Sequence, residues 1–199
     1  MVKQSQSLPR VNLYLVGFMG TGKSTHGRAV AKRLGYRFID TDQEIERQAG
    51  RSIREIFATE GETGFRERER ELIQNGHPAE GCVVSCGGGL VTAPGVLEML
   101  RKKGVVIALV ASADCIWERT RGNEDRPLLN GPDPRGTIQS LLREREPLYR
   151  KAGPRVLTDN RSKLEIQNNL IRVYRRRTKE MVRAGDPPFA DDRAAQTSP

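Results

Sequence analysis

Short apolar runs alternate along the chain with longer stretches whose apolar residues recur every three or four positions. The first pattern fits strands buried on both faces, and the second fits helices with one buried face. Strands are predicted at Asn12 to Val16, Arg37 to Ile39, Val83 to Ser85, Val105 to Val110 and Arg155 to Leu157. Their alternation with helical stretches predicts an α/β domain in which a five-stranded parallel sheet is flanked by helices.

Local chemistry marks the helix ends. A helix from Lys23 to Leu34 should stop at Gly35, which suits a left-handed C-terminal cap. Ser52-Ile53-Arg54-Glu55 has capping-box spacing, so a short helix should start there and bury Ile53, Ile56 and Phe57. A separate helix dense in Arg and Glu is expected from Phe65 to about Gln74. Pro94 fits the first turn of another that runs to Lys103 and stops at Gly104. Two segments lack any such pattern. Gly122 to Gly136, crowded with Gly, Pro and charges, reads as a mobile loop or lid, and Ala184 to Pro199 reads as disordered. One domain is therefore expected at residues 11–175, after an extension at 1–10 and before a basic, then disordered, tail at 176–199.

Composition changes the picture in three places. The 199 residues carry 34 Lys+Arg against 25 Asp+Glu, a formal charge of +9, and most of the excess lies between Arg143 and Arg183. No aromatic residues interleave Arg175 to Arg177 as a base-stacking platform requires, so the stretch reads as a solvated helix end and no nucleic-acid partner is expected. Three cysteines without a C-x-x-C spacing argue against a disulfide scaffold or a zinc ribbon. No apolar stretch approaches a membrane span, and a cytoplasmic protein is expected.

The chemistry concentrates at the ends of the expected strands. Gly17 to Ser24 is G-x-x-x-x-G-K-S, placed after a strand and opening a helix, the context a phosphate-binding loop demands. Backbone N–H groups of Gly20, Thr21, Gly22 and Thr25 would face the phosphates, Lys23 would reach the outer ones, and Ser24 would hold Mg²⁺. Asp40 and Asp42 follow the second strand, so one can approach the metal and the other a substrate hydroxyl. Asp42 could equally cap the helix it starts. Gly87, Gly88 and Gly89 follow the third strand and allow close backbone approach to an anion, or merely a tight turn. Arg66, Arg126 and Arg145 are candidates for gripping a carboxylate, because a planar guanidinium can do so in a bidentate way. His26, His77 and the cysteines read as structural.

These motifs together resemble the shikimate kinase family. G-F-M-G-T-G-K-S-T, F-I-D-T-D-Q-E-I-E, I-F-A-T-E-G-E-T-G-F-R-E-R-E, G-G-G, R-P-L-L and R-E-P-L-Y-R occur in that family's order over about residues 11–174. The resemblance implies a three-layer phosphate-loop NTPase fold of the nucleoside-monophosphate-kinase kind, with a substrate-binding region at about 41–75. It implies ATP with Mg²⁺, the metal held by Ser24 and, through water, by Asp40. It assigns the acceptor carboxylate to Arg66 and Arg145, and its hydroxyls to Asp42 and the Gly87 to Gly89 backbone. Arg126 would be the lid arginine at the transferring phosphoryl group, while Arg119 and Arg161 would lie on the adenine side. Lys23, Asp42 and Arg126 would be catalytic. A nearby Arg66 would lower the pKa of Asp42 and leave it to orient the hydroxyl rather than act as a base. His26 and Cys86 depart from the family's usual residues, and Lys163 stands for an expected Pro. ATP and shikimate are the partners implied, and a monomer is expected. A kinase of another polyol acid such as gluconate is the alternative within enzymes, and a nucleic-acid-binding NTPase the alternative outside them.

Overall fold

Five apolar runs pair side by side, all parallel, in the order β2-β3-β1-β4-β5. The structure, a computed structural model, describes residues 8–122 and 131–185. In chain order the elements are β1 (Asn12–Val16), α1 (Lys23–Leu34), β2 (Arg37–Asp40), α2 (Thr41–Ala49), α3 (Ile53–Asn75) and β3 (Cys82–Ser85). A 3₁₀ turn (Leu90–Thr92) leads to α4 (Val96–Lys103), β4 (Gly104–Val110), α5 (Ala113–Thr120), α6 (Pro134–Ala152), β5 (Arg155–Leu157) and α7 (Lys163–Ala184).

Period-two alternation along β1 divides the core. Tyr14 and Val16 point to one face, where Leu97, Leu100, Ile116 and Ile138 from α4, α5 and α6 meet them. Val11, Leu13 and Leu15 point to the other, against Val30 and Ala31 of α1 and Ile166 and Leu170 of α7. The result is the expected three layers. A third, smaller cluster of Ile45, Ile56, Phe65 and Leu72 lies between α2 and α3, apart from both main cores.

The strands and α1 form where the pattern places them, and Gly35 closes α1 in the left-handed conformation (φ 66°). Ser52 and Glu55 make both halves of the capping box. Elsewhere the helix boundaries move. The two helices expected after Ser52 are one element broken at Gly61 (φ 69°, ψ −172°), so the second arm begins before Phe65. Arg68 of that arm clamps Glu60 of the first at 2.7 and 2.8 Å, with Arg51 as a further partner, and this holds the Glu60 carboxyl at about 2. Phe57, expected inside, is 40% exposed and lies against Phe65 with ring centres 4.8 Å apart. Pro94 precedes its helix, which starts after Gly95. The basic stretch after Arg175 continues α7 to Ala184, and Thr178 on it is buried. No helix among the described residues is long and apolar enough to cross a membrane.

Asn12 is the polar residue inside this frame, with no exposed surface. Its amide donates to the carbonyls of Pro78 and Ala79 at 2.9 and 3.0 Å, and its oxygen accepts from the Cys82 N–H at 2.8 Å, which fixes where β3 begins. Asn12→Ala would leave those buried groups unpaired, so stability should fall by about 2–3 kcal/mol. Urea unfolding checks this, with a lower midpoint and an unchanged slope as the expected result.

Candidate active site

Because every strand is parallel, β1, β2 and β3 end at one edge of the sheet, and the chemistry-bearing residues follow them there. A cavity of about 610 Å³ opens at this edge. Its lining includes Gly20, Gly22, Lys23, Ser24 and Thr25 of the loop after β1, Asp40 and Asp42 after β2, and Gly87 and Gly88 after β3. Arg119 and Arg161 line its far side. Gly89, Arg66 and Arg145 do not line this cavity.

The phosphate loop is held from within. The Thr21 hydroxyl donates to the Phe18 carbonyl at 2.8 Å, so its side chain is committed to the loop. Lys23, nearly buried, sets its ammonium 2.8 Å from the Gly17 carbonyl and 3.0 Å from that of Phe18, at the mouth of the loop. Arg119 braces the loop against the β5 side, donating to Gly20 O at 3.2 Å and to the hydroxyl and carbonyl of Thr158 at 2.9 Å each. His26 also lines the cavity, its imidazole pushed toward the neutral form by burial and by Arg119 and Lys163.

Ser24 and Asp40 converge as expected of a metal pair, with Ser24 Oγ 2.6 Å from Asp40 Oδ2. Ser85 Oγ stands 3.2 Å from Ser24 Oγ, a neighbour that the sequence reading did not single out. No cluster of three or more His, Cys, Asp or Glu among the described residues could cage a metal. Two hard oxygens beside a phosphate loop suit Mg²⁺, which keeps waters and phosphate oxygens for its other positions.

After β2 the capping role falls to Asp40, whose Oδ1 accepts from the Asp42 N–H at 3.2 Å. Asp42 lines the cavity, its Oδ1 accepting only a long 3.5 Å bond from the Thr41 hydroxyl. Its carboxyl is pushed up by burial and then by Asp40, the reverse of the lowering expected from Arg66. Arg66 is engaged instead by Glu62 at 3.0 Å and by Glu69. Two of the five donors of its guanidinium serve these carboxylates, and the others remain for a ligand. Arg145 stacks 5.9 Å over the Phe18 ring, and its buried Nε has no partner. A buried guanidinium nitrogen of that kind calls for an anionic ligand.

The glycine loop offers less than expected at its first residue, since the Gly87 N–H donates to Thr41 Oγ1 at 2.8 Å. Gly87 and Gly89 are required for space: a Cβ at Gly87 would meet Asp42 Oδ1 and Glu69 Oε1 at 2.7 Å each, and one at Gly89 would collide with the Arg66 guanidinium. The three cysteines are free, and burial raises the thiol pKa of each. Arg126 and the rest of residues 123–130 lie outside the described residues. Asp133, at the end of the expected lid, caps α6 through the Gly136 N–H at 2.9 Å. The cationic residues Arg33, Arg172, Arg175, Arg176 and Lys179 edge a second groove between α1 and α7, and no aromatic residue lines it.

Glu69 was hidden in the run of alternating Arg and Glu. It is 1% exposed, one oxygen is spent on Arg66, the other has no partner, and burial raises its carboxyl to about 7. The three-residue step from Arg66 was the available signal, since it places both on one helix face.

A phosphate loop, a hard-oxygen pair and a second, arginine-bearing subsite on one sheet edge define a phosphate-loop kinase of small molecules. The chain belongs to the shikimate kinase family, whose model matches residues 19–175. It is 41% identical over 163 residues to shikimate kinase of Burkholderia lata, covering 82% of this chain and 89% of that one. The solved shikimate kinase from Acinetobacter baumannii, in complex with shikimate, superposes with a TM-score of 0.75 at 36% identity, covering 84% of this chain and 92% of that one. A gluconokinase from Sinorhizobium meliloti shares the fold (TM-score 0.57, 20% identity, 88% of this chain and 98% of that one).

Glu69 supplies a pH test. Its folded pKa of about 7 exceeds the ordinary 4.5, so its contribution to stability is present below about 4.5 and lost as pH rises through about 7. Glu69→Gln cannot titrate. Urea midpoints at pH 5 and 7.5 should show the parent losing up to about 3 kcal/mol more than the variant across that interval.

Proposed function

We propose that this protein transfers the γ-phosphoryl group of ATP to the 3-hydroxyl of shikimate, giving shikimate 3-phosphate and ADP. The observation that carries the reading is the buried, unpartnered Nε of Arg145 beside a phosphate loop, in a chain of the shikimate kinase family.

Positioning and charge neutralisation dominate such a transfer, because its transition state is loose and the protein forms no bond to the phosphorus. The loop N–H groups and the α1 N-terminus cradle the phosphates, and Lys23 leaves its resting carbonyls for their outer oxygens. Ser24 and Asp40 would hold Mg²⁺, which when bound neutralises phosphate charge. Arg66 and Arg145 grip the acceptor carboxylate from two helices, α3 and α6, and so set which hydroxyl faces the phosphate loop. Asp42 orients that hydroxyl. The raised affinity of its carboxylate for protons also suits it to take the hydroxyl proton as the bond to phosphorus forms. Arg126 meets the departing phosphoryl group, and Arg119 and Arg161 bound the adenine side.

ADP release measured with shikimate, with gluconate and with no acceptor tests the reading. Shikimate-dependent release is expected, and gluconate-dependent release would replace the acceptor assignment. Lys23→Ala should remain folded and lose at least about a hundredfold in kcat/KM, read from the same assay. Arg66→Lys and Arg145→Lys should each weaken shikimate binding by about 1.5–3 kcal/mol in calorimetry while ATP binding barely changes. Arg126→Ala should reduce kcat far more than it weakens ATP binding.

A further inference from the structure

Tyr149 enters the sequence motif R-E-P-L-Y-R with no role, yet it hydrogen-bonds α6 to the glycine loop. Its side chain is 3% exposed and its hydroxyl donates to the Gly88 carbonyl at 2.7 Å. The carbonyls on either side of it are secured locally. Leu90 N–H donates to Gly87 O at 3.1 Å, and Thr92 donates to Gly89 O from its N–H at 2.9 Å and its hydroxyl at 2.6 Å. Gly88 O is held by a distant element, α6.

That bond fixes more than a carbonyl. In a trans peptide the Gly88 C=O and the Gly89 N–H lie in one plane and point in opposite directions. A peptide flanked by two glycines turns over at little steric cost, because both residues reach most of backbone space. A turned peptide would present an oxygen to the acceptor in place of an N–H. Arg145 sits one helical turn before Tyr149, so one stretch of α6 carries both the unpartnered guanidinium nitrogen and the anchor of the loop.

We infer that Tyr149 is a positioning residue for the acceptor: it holds the Gly88–Gly89 peptide with its N–H toward the subsite and locks that orientation to Arg145. The inference rests on the acceptor reading above. Burial keeps the phenol a donor across the working pH range, with its pKa pushed up to about 12.

The test uses the full chain with Tyr149→Phe, which removes one oxygen. The shikimate KM should rise about tenfold with the ATP KM within about twofold, the loss of one hydrogen-bonded restraint. In the ¹⁵N-labelled free protein the Gly89 amide should shift and exchange faster with solvent. Tyr149→His, a smaller ring that retains a donor, should fall between parent and Phe variant, and it carries the test if the Phe variant does not fold. Equal increases in both KM values, or an unchanged Gly89 amide, would overturn the inference. If the parent shows no shikimate-dependent ADP release, the acceptor reading fails by itself, and the Gly89 amide still reports whether Tyr149 sets the peptide.

Discussion

Parallel pairing obliges each strand to deliver its chain to the same edge of the sheet, and the strand order decides which deliveries become neighbours. With β3 between β2 and β1, Asp40 and Ser85 are register partners, and the phosphate loop follows directly on the other side of β3. The Ser24, Asp40 and Ser85 oxygens thus meet without any long side chain reaching across the site. The apolar faces of β1 secure the arrangement, since a slip of one residue would turn Tyr14 and Leu15 to the wrong cores. Asn12 adds a polar check on that register at the opposite end of the strand.

Charge is distributed with the same economy of contact. Arg66 is not simply a cation waiting for a ligand: Glu62 and Glu69 hold its guanidinium in place, with Glu69 itself almost without solvent. A guanidinium already oriented loses less entropy when a carboxylate arrives. Glu69 and Asp42 flank Gly87, and both carboxyls are pushed up chiefly by burial, with Asp40 adding to Asp42 and Asp42 adding to Glu69, so their proton affinity exceeds that of ordinary surface acids.

Features encoded by nearby residues were legible in the sequence. The phosphate loop, the five strands and the Ser52 capping box each depend on a spacing of a few residues, and each forms where expected. Features decided by tertiary neighbours were not. Whether Asp40 or Asp42 caps α2 depends on which one the cavity leaves free. The direction of the Asp42 shift turns on its burial beside Asp40, a depth in the fold that the order of residues does not announce. Gly87 lost its free N–H to Thr41, a partner 46 positions away in the chain. Phe57 looked like core because the capping box gives a helix its start but not its rotation against a partner.

The small cluster of Ile45, Ile56, Phe65 and Leu72 gives the α2–α3 lobe an apolar centre of its own, with Ile73 of the same helix rooted in the main core. Arg66 is therefore mounted on a unit whose apolar packing is largely separate from the two main cores. Substitutions in that unit change Arg66 and its surroundings without repacking the residues beneath the phosphate loop. Such a division lets the surroundings of Arg66 vary while the packing under Lys23 and Ser24 stays as it is.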